Sequence, residues 1–269
     1  MPVVAGTFYP SDADELRQMV GTYLEQAAPQ ERYRDVLGVV SPHAGYVYSG
    51  LGAGYAFRAL QGKAIDTAVV LAPSHRVGGF VVSVGNYDAY RTPLGDVPVD
   101  REAVQALLSQ DGICFAPQAH SGEHSLEVQL PFLMLSQPKA RLVPLVLGHQ
   151  TDDHSRWLAG VLASVFGSAM ERTAFIASSD LSHYHDSDTA RTLDMRFAHH
   201  VEKLDTEGLM DDIAGHRCEA CGFGGVLTLM HLAKMLGYAK NDTLTYFHSG
   251  DVSGDNRQVV GYMASVFYR

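Results

Sequence analysis

Two hydrophobic rhythms alternate along the chain. Short apolar runs rich in β-branched residues, Val36 to Val40, Val69 to Leu71, Arg141 to Leu147 and Thr173 to Ala177, predict buried strands. Helical stripes fall between them. Ser11-Asp12-Ala13-Asp14 predicts a helix start with a carboxylate near the capping-box position, followed by Leu16, Met19, Val20, Tyr23 and Leu24 on one face. Ser49 to Leu60 predicts a Gly/Ala-rich helix able to pack closely on a sheet. Asp100 caps a helix to Gln110, Asp152 or Asp153 opens one to Phe166, and Asp188 to Leu204 and Gly222 to Leu236 supply two more. Pro131 interrupts the helical pattern of Ser125 to Leu135 and predicts a kink or break there. Phe80 to Val84 and Tyr87 to Arg91 read as strands around a Gly85-Asn86 turn, and Pro144 predicts an edge or bulged strand. Strands near Leu244 to Phe247 and from Val259 to Phe267 complete the pattern. Strands alternating with helices over short connections predict an α/β fold, a largely parallel or mixed central sheet flanked by helices. No repeat or linker divides the 269 residues, so one domain spanning 1–269 is expected.

The strands share a way of ending. Val36 to Val40 run into Ser41-Pro42-His43, Thr67 to Leu71 into Ala72-Pro73-Ser74-His75, and Thr173 to Ala177 into Ser178-Ser179-Asp180 and then His183. In open α/β sheets, ligands bind beyond the carboxyl ends of the strands. If these strands are parallel neighbours, His43, His75, Asp180 and His183 converge on one edge. Cys221, in "CEACGFGG", stands at an expected helix N-terminus, where backbone N–H groups favour thiolate, the form that ligates metals. Two imidazoles and one thiolate make a three-ligand site with open positions, which is a catalytic arrangement. Donor softness leaves iron, copper and zinc open. His183 is then an acid/base group, with Asp180 able to orient it. Glu123 and His124 precede a helix and either cap it or face the cleft. Tyr46 and Tyr48 are candidates for a pocket wall or for core. Cys114 reads as core, His185 as a rim or solvent-facing residue, and the remaining histidines as surface or satisfied core.

Charge and composition narrow the partners. Thirty acidic against 20 basic residues give a net charge of −10, and no basic run offers a phosphate-neutralising surface, so a nucleic-acid partner is not expected. No apolar stretch approaches the ~20 residues that span a bilayer. Neither a secretory signal nor a disulfide scaffold is read from the N-terminus or the three cysteines, which points to the cytoplasm.

In this order, "AGTFYP", "SPHAGYVYSG", "APSH", "YRTPLGD", "EHSLEVQLPFL", "SSDLSHY" and "CGFGG" resemble the Memo family, whose bacterial and archaeal members carry the label AmmeMemoRadiSam system protein B. The resemblance implies a fold similar to class III extradiol dioxygenases, which use non-haem Fe(II). It also implies His43, His75 and Cys221 as metal ligands, His183 as the acid/base histidine, and Asp180 in the same pocket. Those dioxygenases carry Glu as the third ligand, and this chain offers an oxidisable Cys instead. Cys218 belongs to no family block. The leading expectation is a metal-dependent, dioxygenase-like oxidoreductase with Fe(II) and a small-molecule substrate. Its alternatives are a metal-binding or redox-handling protein serving partner proteins of that system, a zinc hydrolase with Glu123 or His183 as base, and a Cys221–His183 nucleophile pair.

Overall fold

The computed structural model describes residues 2–27 and 33–269. The first half runs α1 (Ala13–Gln26), β1 (Val36–Ser41), α2 (Tyr46–Ala59), β2 (Thr67–Pro73), β3 (Val82–Val84), β4 (Ala89–Thr92), β5 (Gly95–Pro98), α3 (Arg101–Leu108) and β6 (Ile113–Cys114). It continues through α4 (Pro117–His120), α5 (His124–Glu127), α6 (Leu130–Ser136), β7 (Arg141–Leu147) and α7 (Asp152–Phe166). The remainder is β8 (Thr173–Ser178), β9 (His183–His185), α8 (Ser187–Lys203), α9 (Thr206–Ala214), α10 (Phe223–Leu236), β10 (Lys240–His248), α11 (Ser249–Ser253) and β11 (Val259–Tyr268).

The main sheet has the order β10-β11-β1-β8-β2-β7-β3-β6, with β9 added to β11. Its centre, β1-β8-β2-β7, is parallel, while β11 and β10 are antiparallel and β3 runs antiparallel to β7. The continuous apolar runs are explained by burial on both faces. Along β2, Val69 and Leu71 enter one core with α7 and α10, while Ala68, Val70 and Ala72 enter another with α1, α2 and α6. Phe175 and Ala177 of β8 split from Ala174 and Ile176 in the same way. The small residues of α2 serve a close approach to α1: a Cβ at Gly54 would lie 2.6 Å from the Tyr23 carbonyl oxygen.

Several expectations change in three dimensions. The strand carrying Pro144 is not an edge but lies between β2 and β3. The Pro144 carbonyl faces β3 and accepts the Gly85 N–H, so its ring nitrogen, which has no hydrogen, faces the same side just beyond the last pair, Val84 with Leu145. Gly85-Asn86 does not close a hairpin. It leads the chain off the sheet, and β4 pairs instead with β5 across Pro93-Leu94. Cys114 is exposed rather than core, because it sits on the outward face of β6, the two-residue strand at the sheet's margin. The break near Pro131 separates α5 from α6, with the proline in the first turn of α6.

Candidate metal-binding site

Parallel pairing brings the strand ends level. Ser41 of β1 pairs with Ser178 of β8, and Leu71 of β2 pairs with Ala177 of β8. The residues that follow are therefore delivered to one edge of the sheet: His43 after β1, His75 after β2 and Asp180 after β8. β9 lies antiparallel to β11 and brings His183 alongside Val260. Between the two histidines of β9, Tyr184 adopts φ 65° with a 71% exposed side chain, a left-handed conformation that bulky residues rarely adopt.

Cys221 reaches the same edge from the start of α10. Its N–H donates to the Asp180 carbonyl at 3.2 Å, and the Gly222 N–H donates to Ser179 Oγ at 3.0 Å. A Cβ at Gly222 would stand 2.1 Å from the Ser178 carbonyl oxygen, so only glycine lets the helix start press onto the end of β8. Gln150 completes the clamp, donating to the Cys221 carbonyl at 2.9 Å and accepting the Gly224 N–H at 2.7 Å.

At the centre, His43, His75 and His124 each offer a ring nitrogen, and these atoms lie within 4.8 Å of one another, so the cluster could hold a metal. The Cys221 sulfur is not one of these three donors but touches one of them, 3.1 Å from His43 Nε2. Glu123 both caps α5 and faces inward. It accepts the His75 main-chain N–H at 2.7 Å and the His75 Nδ1–H at 2.9 Å, together with the N–H and hydroxyl of Ser125 at 3.0 and 2.8 Å. A carboxylate on Nδ1 leaves Nε2 of His75 as the free nitrogen. The edge of Phe8, from the N-terminal "AGTFYP" loop, packs on His124 with ring centroids 5.1 Å apart.

The electrostatics follow from burial. Desolvation and then the neighbouring imidazoles of His75, His124 and His183 depress the His43 pKa well below that of free histidine. Burial and His75 bring His124 down to about 4, and burial lowers His183. Burial also pushes Asp180 up to about 7, against the N–H bonds it accepts from His43 and Ala44. Burial alone would raise Glu123, but the His75 and Ser125 bonds outweigh it and bring the carboxyl down to about 2. Cys221 departs from its expected thiolate character. Desolvation, then the Asp180 carboxyl, push its thiol pKa up, overriding the helix N-terminus. His43, His124 and His183 thus resist protonation beside a thiol that keeps its proton.

His43, His75, His124, Asp180 and Cys221 are brought together by direct contacts, and His183 is near enough to bear on His43. Tyr46 is not in the cleft. It is buried against Tyr9 and Phe132 with its hydroxyl on the Val128 carbonyl, whereas Tyr48 is exposed. His185 pairs with Glu219 at 3.1 Å, and Cys218 is buried, with its thiol pushed up to about 12 by desolvation. His231, bonded to Asp152, is a satisfied core histidine. Gln150 was invisible in the sequence. Its role depends on the approach of two loops, and no local signal marks it.

The sequence profile of the family described as Memo-like protein matches residues 1–266. A MEMO1 family protein of Methanosarcina barkeri is 37% identical over 266 residues, covering 98% of each chain. One of Desulfurococcus amylolyticus is 38% identical over 278 residues, covering 99% of this chain and 98% of its own. Among solved structures, an uncharacterized protein of Escherichia coli superposes with a TM-score of 0.50 at 13% identity over 76% of this chain and 86% of that one, a likeness of fold alone. No helix among the described residues is long and apolar enough to cross a membrane.

Proposed function

This chain belongs to the Memo family, and we propose that it is a cytoplasmic metal-dependent oxidoreductase holding non-haem Fe(II) on His43, His75 and Cys221. The observation that carries this reading is the meeting of the Cys221 sulfur with His43 Nε2 at 3.1 Å, His43 being one of three histidines whose ring nitrogens cluster. The donor set fits a divalent transition metal: two imidazoles, one held from behind by a carboxylate, and one sulfur whose proton a cation would replace. A ferrous ion held by these residues would supply one-electron chemistry toward dioxygen. The chain's own residues do the rest. His183, its proton affinity lowered by burial, accepts a proton from a small-molecule substrate, and Asp180 borders the same space. Glu123 keeps the His75 ring oriented, and the Phe8 edge and the buried end of β8 exclude water from the back of the site.

A second reading takes its support from His124. Three imidazoles within 4.8 Å are the donor set of a zinc hydrolase, with Cys221 outside it. Metal analysis of protein purified without oxygen separates the two readings, comparing wild type with Cys221→Ser and His124→Ala. Near-stoichiometric iron, lost in Cys221→Ser and kept in His124→Ala, together with oxygen uptake on a substrate panel, supports the oxidoreductase. Zinc kept in Cys221→Ser and lost in His124→Ala moves the reading to hydrolysis. Tight binding without turnover leaves a metal-handling protein that serves a partner. No metal in any of the three proteins, even after reconstitution, refutes the site.

A further inference from the structure

His43 is held from behind by a chain of groups that determines which of its nitrogens carries the proton. Its Nδ1 lies 2.9 Å from Ser178 Oγ. The same oxygen is 2.7 Å from the Ser125 carbonyl oxygen and 2.9 Å from Gln129 Nε2, and that amide nitrogen is also 3.0 Å from the Pro42 carbonyl oxygen. Counting hydrogens leaves one arrangement. The Ser125 and Pro42 carbonyls can only accept. Ser178 therefore gives its single hydroxyl hydrogen to Ser125. Gln129 must present its NH2 group, one hydrogen to Pro42 and the other to Ser178. Toward His43, the Ser178 oxygen then has only a lone pair left, so the facing ring nitrogen is an N–H. A neutral imidazole has one N–H, and Nε2 is left bare. Nε2 is the atom 3.1 Å from the Cys221 sulfur.

Two further observations bear on this chain. Ser125, Gln129 and Ser178 are fully buried. The other amide atom of Gln129, Oε1, is buried with no hydrogen-bond partner among the described residues. Both hydrogens of the Gln129 amide are thus engaged within the buried chain. The segment Glu123 to Gln129 thus holds both rings: Glu123 takes the Nδ1–H of His75 directly, and Ser125 and Gln129 fix Ser178, which takes that of His43.

We propose that Ser178, its hydroxyl hydrogen committed to the Ser125 carbonyl, is a positioning residue that holds His43 in the Nδ1–H tautomer, with Nε2 bare toward the centre of the site. The consequence for metal affinity rests on the reading of His43 as a ligand, but the tautomer itself does not. Partners of this kind contribute about 10–100-fold to metal affinity.

The test uses the full chain labelled with nitrogen-15 in histidine and stripped of metal by chelation. Long-range proton–nitrogen correlation spectra near neutral pH report each ring's tautomer, and the His43 signals are identified by their loss in His43→Ala. Wild type shows a protonated Nδ1 and a bare Nε2 on His43. Ser178→Ala shifts His43 toward a mixture of tautomers, and Ser178→Thr, which keeps the hydroxyl, retains the wild-type pattern. Gln129→Met leaves the Ser125 carbonyl to take the hydroxyl hydrogen, so its His43 keeps the wild-type tautomer. In Zn2+ and Co2+ titrations the Kd rises about 10–100-fold in Ser178→Ala. The wild-type spectrum decides the assignment should Ser178→Ala fail to fold. An Nε2–H tautomer in wild type, or an unaltered tautomer in Ser178→Ala, overturns the assignment. The expected tautomers in a protein that binds neither ion support the positioning role and refute the metal reading.

Discussion

Glu123 is the buried charge on which the geometry makes the sharpest demand. Replacing it with Gln keeps the shape but turns an NH2 group toward the ring and main-chain N–H of His75 and the N–H of Ser125, which donate; the Ser125 hydroxyl can turn to the Pro73 carbonyl instead. The fall of its pKa from 4.5 to about 2 corresponds to about 3 kcal/mol of preference for the ionised form. That contribution is fully present above about pH 4.5, the unfolded value, and is lost as pH falls through about 2, the folded one. Glu123→Gln should therefore lose about 3 kcal/mol at neutral pH. The gap between the two proteins should narrow on acidification, with less than half of it left near pH 3. Urea unfolding of both proteins across this range measures the gap directly. A loss under about 1 kcal/mol at neutral pH, or a gap as wide near pH 3 as near pH 7, would refute the claim that Glu123 is held as a carboxylate by these donors.

Two further substitutions test the frame of the site. Gly222→Ala places a methyl group 2.1 Å from the Ser178 carbonyl, so the start of α10 must lift; the expected cost is about 1–3 kcal/mol in melting experiments, with faster alkylation of Cys221. An unchanged alkylation rate would show that the thiol does not depend on that contact. Tyr184→Gly relieves a left-handed backbone that costs an L-residue about 1–2 kcal/mol, and the exposed ring gives up little burial, so the variant should gain about 1 kcal/mol. A loss of stability there would mean that the ring packs in solution.

What the sequence disclosed depended on how local the signal was. Val36 to Val40 and Thr173 to Ala177 read as strands because both of their faces are covered, and the same parallel pairing levelled the corners at His43, His75 and Asp180. Pro144 misled because a proline marks an edge only where its nitrogen faces a neighbouring acceptor, and β3 stops short of that point. Cys221 was located, but its protonation was not: the helix N-terminus is visible in the chain, whereas the desolvation that outweighs it comes from groups far away in sequence. The same holds for Gln129 and Ser178. A buried polar residue declares its partner only after the loops around it have closed.

The site is assembled from segments spread over most of the chain, with 178 positions separating His43 from the thiol it touches. Between them, β8 must insert between β1 and β2 before the edge exists at all. Pairings of such long separation carry a heavy loop-closure cost and form late in folding. Donors that are scattered in the nascent polypeptide thus meet only when the sheet is complete. Ion uptake would follow folding rather than nucleate it, and ion affinity would report whether each molecule in a preparation has finished folding.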